Sequence, residues 1–149
     1  MSSSTGQAAQ DPERRVIRIG GAEAADFLQS ILTSDMEALS PGETRASALL
    51  TPQGRILADM MVLRVDDGFM LDCDASRADD LFARLRRYKL RRPVNLEILD
   101  DHRLWVGWNG DAMPRGASTD PRHPALGWRW IGPAESGPEI ASGSGPADI

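Results

Sequence analysis

Apolar positions recur along this chain with two periods, and the switches between them mark its elements. Val16-Ile17-Arg18-Ile19 reads as a short strand that Gly20-Gly21 ends. Ala24, Phe27, Leu28, Ile31 and Leu32 then take the i, i+3, i+4, i+7 spacing of one helix face. Pro41-Gly42 is a turn and Ala46 to Thr51 a strand. Thr51-Pro52-Gln53-Gly54 reads as a type I turn, with proline second and glycine fourth. Arg55 to Val65 is a long strand. Asp67-Gly68 is a hairpin signal, because a tight hairpin turn asks for positive φ at both central residues. Phe69, Leu71 and Cys73 share one face of the returning strand. Ser76 is the expected N-cap of a second helix, with Asp79 placed to favour its dipole. Ala78, Leu81, Phe82, Leu85 and Tyr88 form its stripe, and Arg92-Pro93 ends it. Val94, Leu96 and Ile98 alternate, Asp100-Asp101-His102 turns the chain, and Leu104, Val106 and Trp108 alternate again. The predicted order is β-α-β-β-β-α-β-β. That is an α+β fold, a mostly antiparallel sheet with two helices packed on one face.

The pattern confines the core to residues 14–108, the expected α+β domain. Residues 1–13 are small and polar and are expected to be disordered. Residues 109–149 hold six of the ten prolines and close on a Gly/Ser/Pro-rich run, so a partial second segment with a flexible tail is expected there. The 149 residues suit a single domain. A net charge of −5 argues against general nucleic-acid binding, which shows a basic footprint. The apolar runs are too short to cross a bilayer. Cys73 is the single cysteine, which excludes an internal disulfide and a thiolate metal cluster within one chain. His102 and His123 have no second ligand at metal spacing, so no directly bound metal is expected. The opening residues lack the features of a secretory signal, and a cytoplasmic location is expected.

Asp59 is the most informative polar position. It interrupts Ile56-Leu57-Ala58-Asp59-Met60-Met61-Val62-Leu63, a run apolar at both parities, which predicts a strand covered on both faces and a partly buried carboxylate. Such a group finds a donor or is neutralised. In a cleft it can act as an acid or base, or accept bonds from ligand N–H groups. It can equally be a structural carboxylate, paired to an arginine or facing water near a sheet edge. Asp72 and Asp74 share a face of the next strand and are expected to be solvated; with Asp59 they would otherwise make an acidic site. Cys73 lies on the apolar parity and is expected in the core. The second helix carries Arg77, Arg84, Arg86, Arg87, Lys89, Arg91 and Arg92. This charge favours the helix dipole and a solvated face, with an anionic tail or a nucleic acid as the alternatives. Trp105, Trp108, Trp128 and Trp130 suit either a flat heterocycle or burial against a neighbour.

Three segments together resemble a known family: Ala25-Asp26-Phe27-Leu28-Gln29-Ser30-Ile31-Leu32-Thr33-Ser34-Asp35, then Ala48-Leu49-Leu50-Thr51-Pro52-Gln53-Gly54-Arg55-Ile56-Leu57-Ala58-Asp59, then Tyr88-Lys89-Leu90-Arg91. They look like the YgfZ-type folate-binding proteins that assist iron–sulfur cluster assembly, relatives of the glycine-cleavage T-protein, a tetrahydrofolate-dependent aminomethyltransferase. Asp120-Pro121-Arg122 and Ala125-Leu126-Gly127-Trp128-Arg129 fit that family's mid-chain segment. The resemblance implies an aminomethyltransferase-like folate-binding fold with tetrahydrofolate as ligand. Asp59 falls on the strand Asp that the T-protein places near the reactive folate nitrogen. Asp59, Asp74, Leu50 and Arg55 are the implied ligand-contacting residues, Asp59 also carrying any catalytic role.

The departures matter as much. The T-protein's second acid falls on Ala58, a folate-contacting Tyr near Ala46, and a pterin-side Asn near Asp74. The Lys-Gly-Cys-x-x-Gly-Gln-Glu signature of full-length members lies in their second half and has no counterpart here. The resemblance therefore implies the N-terminal half of a folate-binding accessory protein, truncated before the cysteine motif. Its implied partners are the folate, the iron–sulfur assembly machinery or its clients, and a missing C-terminal half. The alternatives are an aminomethyltransferase-like one-carbon transfer enzyme and a non-catalytic interaction half-domain.

Overall fold

The computed structural model describes residues 8–107, 113–122 and 127–138. Among the described residues, nine strands and two α-helices follow in chain order: β1 (Ala8–Asp11), β2 (Arg14–Gly20), α1 (Ala24–Ile31), β3 (Thr44–Leu50), β4 (Ile56–Val65), β5 (Gly68–Asp74), α2 (Ala78–Lys89), β6 (Asn95–Leu99), β7 (His102–Gly107), β8 (Ser118–Thr119) and β9 (Trp128–Pro133). The fold is α+β, as the periodicities predict. The strands form two antiparallel sheets rather than the one expected. A five-stranded sheet has the order β3-β4-β5-β2-β6, and a four-stranded sheet has the order β1-β7-β9-β8.

The five-stranded sheet separates two apolar interfaces. Ala58, Met60 and Val62 of β4, Phe69, Leu71 and Cys73 of β5, and Ile17 and Ile19 of β2 join one core with Phe27 and Leu28 of α1 and Ala78, Leu81 and Leu85 of α2. Met61 and Leu63 are also buried but face away from that core, as the two-residue period of a strand requires. The second sheet covers their side. This explains why β4 is apolar at both parities.

Two contacts fasten the second sheet. Arg129 of β9 gives Nη2 to both oxygens of Asp72 on β5, at 2.7 and 2.9 Å. Arg14 of β2 holds the same carboxylate through Nε at 3.0 Å. Asp72 has no exposed surface and Arg129 is 4% exposed. The expectation that Asp72 is solvated is therefore corrected. Its partner Arg129 lies 57 residues away, beyond the reach of a local pattern. Thr44 of β3 and Ser118 of β8 add a buried hydroxyl pair at 2.6 Å.

Several local expectations shift. The segment expected to be disordered through residue 13 contributes β1, which has no apolar alternation of its own and is held by pairing with β7 from Ala8↔Gly107 to Asp11↔Leu104. Residues 1–7 lie outside the described residues, as do Trp108, His123 and the tail from 139. Within the stretch expected to be only a partial segment, β8 and β9 extend the second sheet. The hairpin turns on Asp66-Asp67, because Val65 pairs with Gly68. Gly68 follows that turn, and both its φ of 154° and crowding require glycine: a Cβ there would meet the Ile19 carbonyl oxygen at 2.3 Å. Asp74, not Ser76, caps the turn before α2, accepting from the Ser76 N–H at 2.9 Å and its hydroxyl at 2.8 Å. Tyr88 leaves the stripe and is 40% exposed.

Replacing Arg129 with Met leaves a fully buried carboxylate with one guanidinium instead of two. Removing one partner of a buried ion pair costs about 3 kcal/mol or more. Urea unfolding of R129M is expected to show that loss; a loss below about 1 kcal/mol would show that this contact does not hold the sheets together.

Candidate functional site

The site grows from a fork in the larger sheet. The β4–β5 ladder runs from Val65↔Gly68 to Met61↔Asp72 and stops. Beyond that point β4 continues against β3, with Asp59 opposite Ala48. Meanwhile β5 continues against β2, with Asp74 opposite Arg14. The β3–β4 register also slips between Leu49 and Leu50, so that Leu50 pairs with Ile56 and Leu57 is the extra residue of a bulge. Fork and bulge together open the end of the sheet.

Asp59 stands at this opening, on the face that carries Met61 and Leu63 under the second sheet. The cover stops short of it, and Asp59 is exposed. The expectation of a partly buried carboxylate is corrected for this reason: both-faced coverage holds for the middle of β4 but not for its first turn of the pleat. Two concavities flank the residue. One, of about 230 Å³, lies in the fork and is lined by Ile56, Leu57, Ala58, Asp59, Asp74 and Arg77. The other, of about 150 Å³, is bordered by Arg14, Ala46, Ser47, Asp59, Met61 and Arg122.

The charged neighbours of Asp59 are engaged elsewhere. Arg14 is bound to Asp72. Arg122 gives Nε and Nη2 to Asp120 at 3.0 and 2.7 Å. Arg77 gives Nη1 to the Leu57 carbonyl at 3.3 Å, inside the fork. Among the described residues no ion pair takes up the Asp59 carboxylate. Ala46 and Ala48 stand beside it on β3, and their small side chains leave the floor low. The arrangement offers an acceptor beside a flat surface, with fixed cations at its inner wall.

The other residues singled out from sequence divide. Asp74 reaches the fork, but its Oδ1 is used by Ser76, whose hydrogen bonds hold the Asp74 carboxyl below its ordinary range. Leu50 and Ile56 are exposed at the hairpin end, 36% and 68%. Arg55 is exposed in the preceding turn, where its N–H donates to Thr51 Oγ1 at 3.0 Å, and it borders neither concavity. Cys73 is fully buried on the helix side of the sheet, and burial pushes its thiol up to about 11. The three described tryptophans serve packing: the Trp128 ring lies against Gly107, Trp130 against Gly132, and Trp105 against Gly137. Of the helix arginines, Arg84 pairs with Asp80, and Arg92 with Glu23 and Asp26. Among the described residues no group of three or more His, Cys, Asp or Glu is placed to hold a metal. No described helix is long and apolar enough to cross a membrane.

Arg14, Asp120 and Arg122 are the site residues that periodicity misses. Arg14 opens a strand, and Asp120-Pro121-Arg122 lies in a stretch with no apolar repeat. The Arg122 hydrogen bonds hold the buried Asp120 carboxyl below its ordinary value.

Comparison with known proteins shows what the chain is similar to. The GCVT N-terminal domain family matches residues 13–110. The iron–sulfur cluster assembly factor IBA57 homolog, mitochondrial, of Pyricularia oryzae is 34% identical over 136 residues, 82% of this chain and 34% of that protein. The IBA57 homolog of Mycosarcoma maydis is 30% identical, over 99% of this chain and 41% of its own length. The human mitochondrial assembly factor IBA57 is 28% identical, over 91% and 45%. Among solved structures, the glycine cleavage system aminomethyltransferase T from Bartonella henselae superposes with a TM-score of 0.61 and 27% identity, over 66% of this chain and 27% of that one. The chain thus spans between about a third and under half of the curated relatives it matches.

Two measurements test the site's chemistry. The Cys73 thiol is expected to resist a maleimide at pH 8 in the folded chain and to react fully in urea. Rapid labelling of the native protein would contradict its placement. Asp120 titrates lower folded than unfolded, where a free Asp sits near about 3.9. Its contribution to stability is therefore present above that value and lost as pH falls through the lower folded one. Melting temperatures across the acid range are expected to fall less steeply in D120N than in wild type.

Proposed function

The chain belongs to the GCVT N-terminal domain family, and from that premise we propose that it binds tetrahydrofolate as part of an iron–sulfur cluster assembly factor. The names of its relatives support the second half of this reading. The first half rests on one observation: Asp59 is an exposed carboxylate at a sheet fork, bordered by two concavities and taken up by no cation among the described residues. A pterin is flat and rich in nitrogen. It can lie on the Ala46 and Ala48 floor and give an N–H to Asp59. Asp59 then orients the ligand, and no turnover is required of it.

Within this reading the chain is the YgfZ-type, accessory kind of folate binder. A one-carbon transfer enzyme is less well supported, because the position before Asp59 is Ala58, packed into the helix-side core and carrying no second acid. A reducing compartment suits the single free thiol. The assembly machinery and its clients are the expected macromolecular partners.

Calorimetric titration with tetrahydrofolate tests the proposal. Saturable binding is expected, weakened at least ~10-fold in D59A, since a hydrogen bond to a charged group contributes about 1.5–3 kcal/mol. Absence of saturable binding by wild type, or equal binding by D59A, would remove it.

A further inference from the structure

Helix α2 ends on a turn that glycine would make with less strain. The Arg92 N–H closes it onto the Lys89 carbonyl at 2.9 Å, with Leu90 at the first central position. Leu90 has φ 49° and ψ −113°, and among the described residues no other non-glycine residue has positive φ. This is the geometry of a type II′ turn, whose first central residue is ordinarily glycine, asparagine or aspartate. The side chain finds no burial in return and is 76% exposed. Strain of this kind persists only where the surroundings hold it. Here Arg92 of the same turn pairs with Glu23 and Asp26 at the start of α1 and lies over the Phe27 ring at 5.6 Å. Glycine would relieve the backbone, and a polar side chain would remove the exposed apolar surface. Leucine does neither, so the fold presents an apolar knob that its own packing does not use.

The knob continues a stripe. Ala83, Arg86 and Arg87 line a shallow hollow of about 350 Å³ on the exposed side of α2, and Leu90 follows at the next step of the i, i+3, i+4, i+7 spacing. Arg86 lies over the Phe82 ring at 5.9 Å, which steadies its guanidinium. Arg86, Arg87 and Arg91 are exposed, and with Lys89 they enter no ion pair among the described residues. Arg84 and Arg92, by contrast, are taken up by Asp80, Glu23 and Asp26. We propose that this face of α2 docks an acidic helix of a partner protein, with Leu90 as the apolar anchor and Arg86 and Arg87 as the charge partners. A row at helical spacing with a small residue in it is matched by the ridge of a second helix. Unpaired guanidiniums are complementary to carboxylates. A nucleic-acid backbone gives the leucine no seat, and an extended anionic membrane repels a chain of net charge −5. One helix pair buries less than a standard interface, so the contact is weak and reversible. None of this depends on the folate reading, because α2 packs on the face of the sheet away from Asp59.

The experiment titrates the whole chain with a synthetic amphipathic peptide of about 20 residues, long enough to be helical, with leucines along one face, glutamates flanking them and alanine elsewhere. Its controls are the same peptide with lysine for glutamate, a single-stranded RNA and phosphatidylglycerol vesicles. Wild type is expected to bind the glutamate peptide saturably, with affinity falling as salt is added, and not the lysine peptide. R86Q/R87Q and L90G are each expected to weaken binding at least ~5-fold. L90G is also expected to melt no lower than wild type, and by up to about 5 °C higher, because glycine relieves the turn. Loss of binding with stability kept or gained is a signature that a leucine serving the fold does not give. Absence of saturable binding to the glutamate peptide overturns the proposal, as does equal binding of the lysine peptide. So does unchanged affinity in R86Q/R87Q or in L90G. An L90G protein that melts below wild type shows Leu90 supporting the fold and overturns its role as anchor. Tighter binding of the RNA or the vesicles than of the glutamate peptide gives the face to another class of partner and overturns the proposal too.

Discussion

The buried carboxylate of Asp72 organises the rest. It sits between Arg14 of its own sheet and Arg129 of the other, with no surface exposed. A pair of this kind contributes little net stability compared with well-packed apolar residues, but leaving one member unpaired is costly. Its value lies in direction. The four-stranded sheet must dock with Arg129 over Asp72, and this fixes where the cover ends. Met61 and Leu63 fall beneath it, and Asp59, at the start of the same face, does not. The opening beside Asp59 is thus set by an ion pair on the neighbouring strand.

Three carboxylates on one face then meet three fates. Asp72 is enclosed by two guanidiniums. Asp74 caps the turn that leads into α2 and spends its oxygen on Ser76. Asp59 borders open space. Around it, Arg14, Arg122 and Arg129 face the two buried carboxylates of Asp72 and Asp120. Three positive charges against two leave a residual positive field at the inner wall. Asp59 borders the same space without an ion-pair partner among the described residues. The site is close to neutral as a whole and dipolar in detail. Such a site suits a ligand with donors and acceptors side by side better than a simple anion or cation.

The helices and the strands from β2 to β7 were legible because each buries a face of its own, and burial writes a period of 3.6 or 2 into the sequence. Phe27, Leu28, Leu81 and Leu85 show this for the helices, and Phe69, Leu71 and Cys73 for β5. What was not legible depends on partners remote in sequence. β1 is a strand because β7 lies beside it, and Gln10 reaches Ala134 at 2.8 Å across 124 residues. The run around Asp59 correctly signalled a two-sided strand, but no local pattern shows where β4 and β5 part. Asp59 stood out in the sequence by its incongruity among apolar neighbours, but the burial read from that incongruity does not hold. The pairing of Arg14 with Asp72 was not legible, because arginine at a strand start is unremarkable until its buried partner is known; Arg122 entered only through the resemblance of its segment, not through a pattern of its own.

The position of Cys73 bears on the proposed role in cluster assembly. The side chain points into the helix-side core, on the face of the sheet away from Asp59, and its thiol titrates near 11. A thiolate, not a thiol, binds iron, and exposing Cys73 would mean opening the core against α2. It is the single cysteine of these 149 residues. Sulfur ligation of a cluster by this chain therefore conflicts with its own packing. Under the proposed function the Asp59 face, on the other side of the sheet, can hold a ligand without disturbing that core.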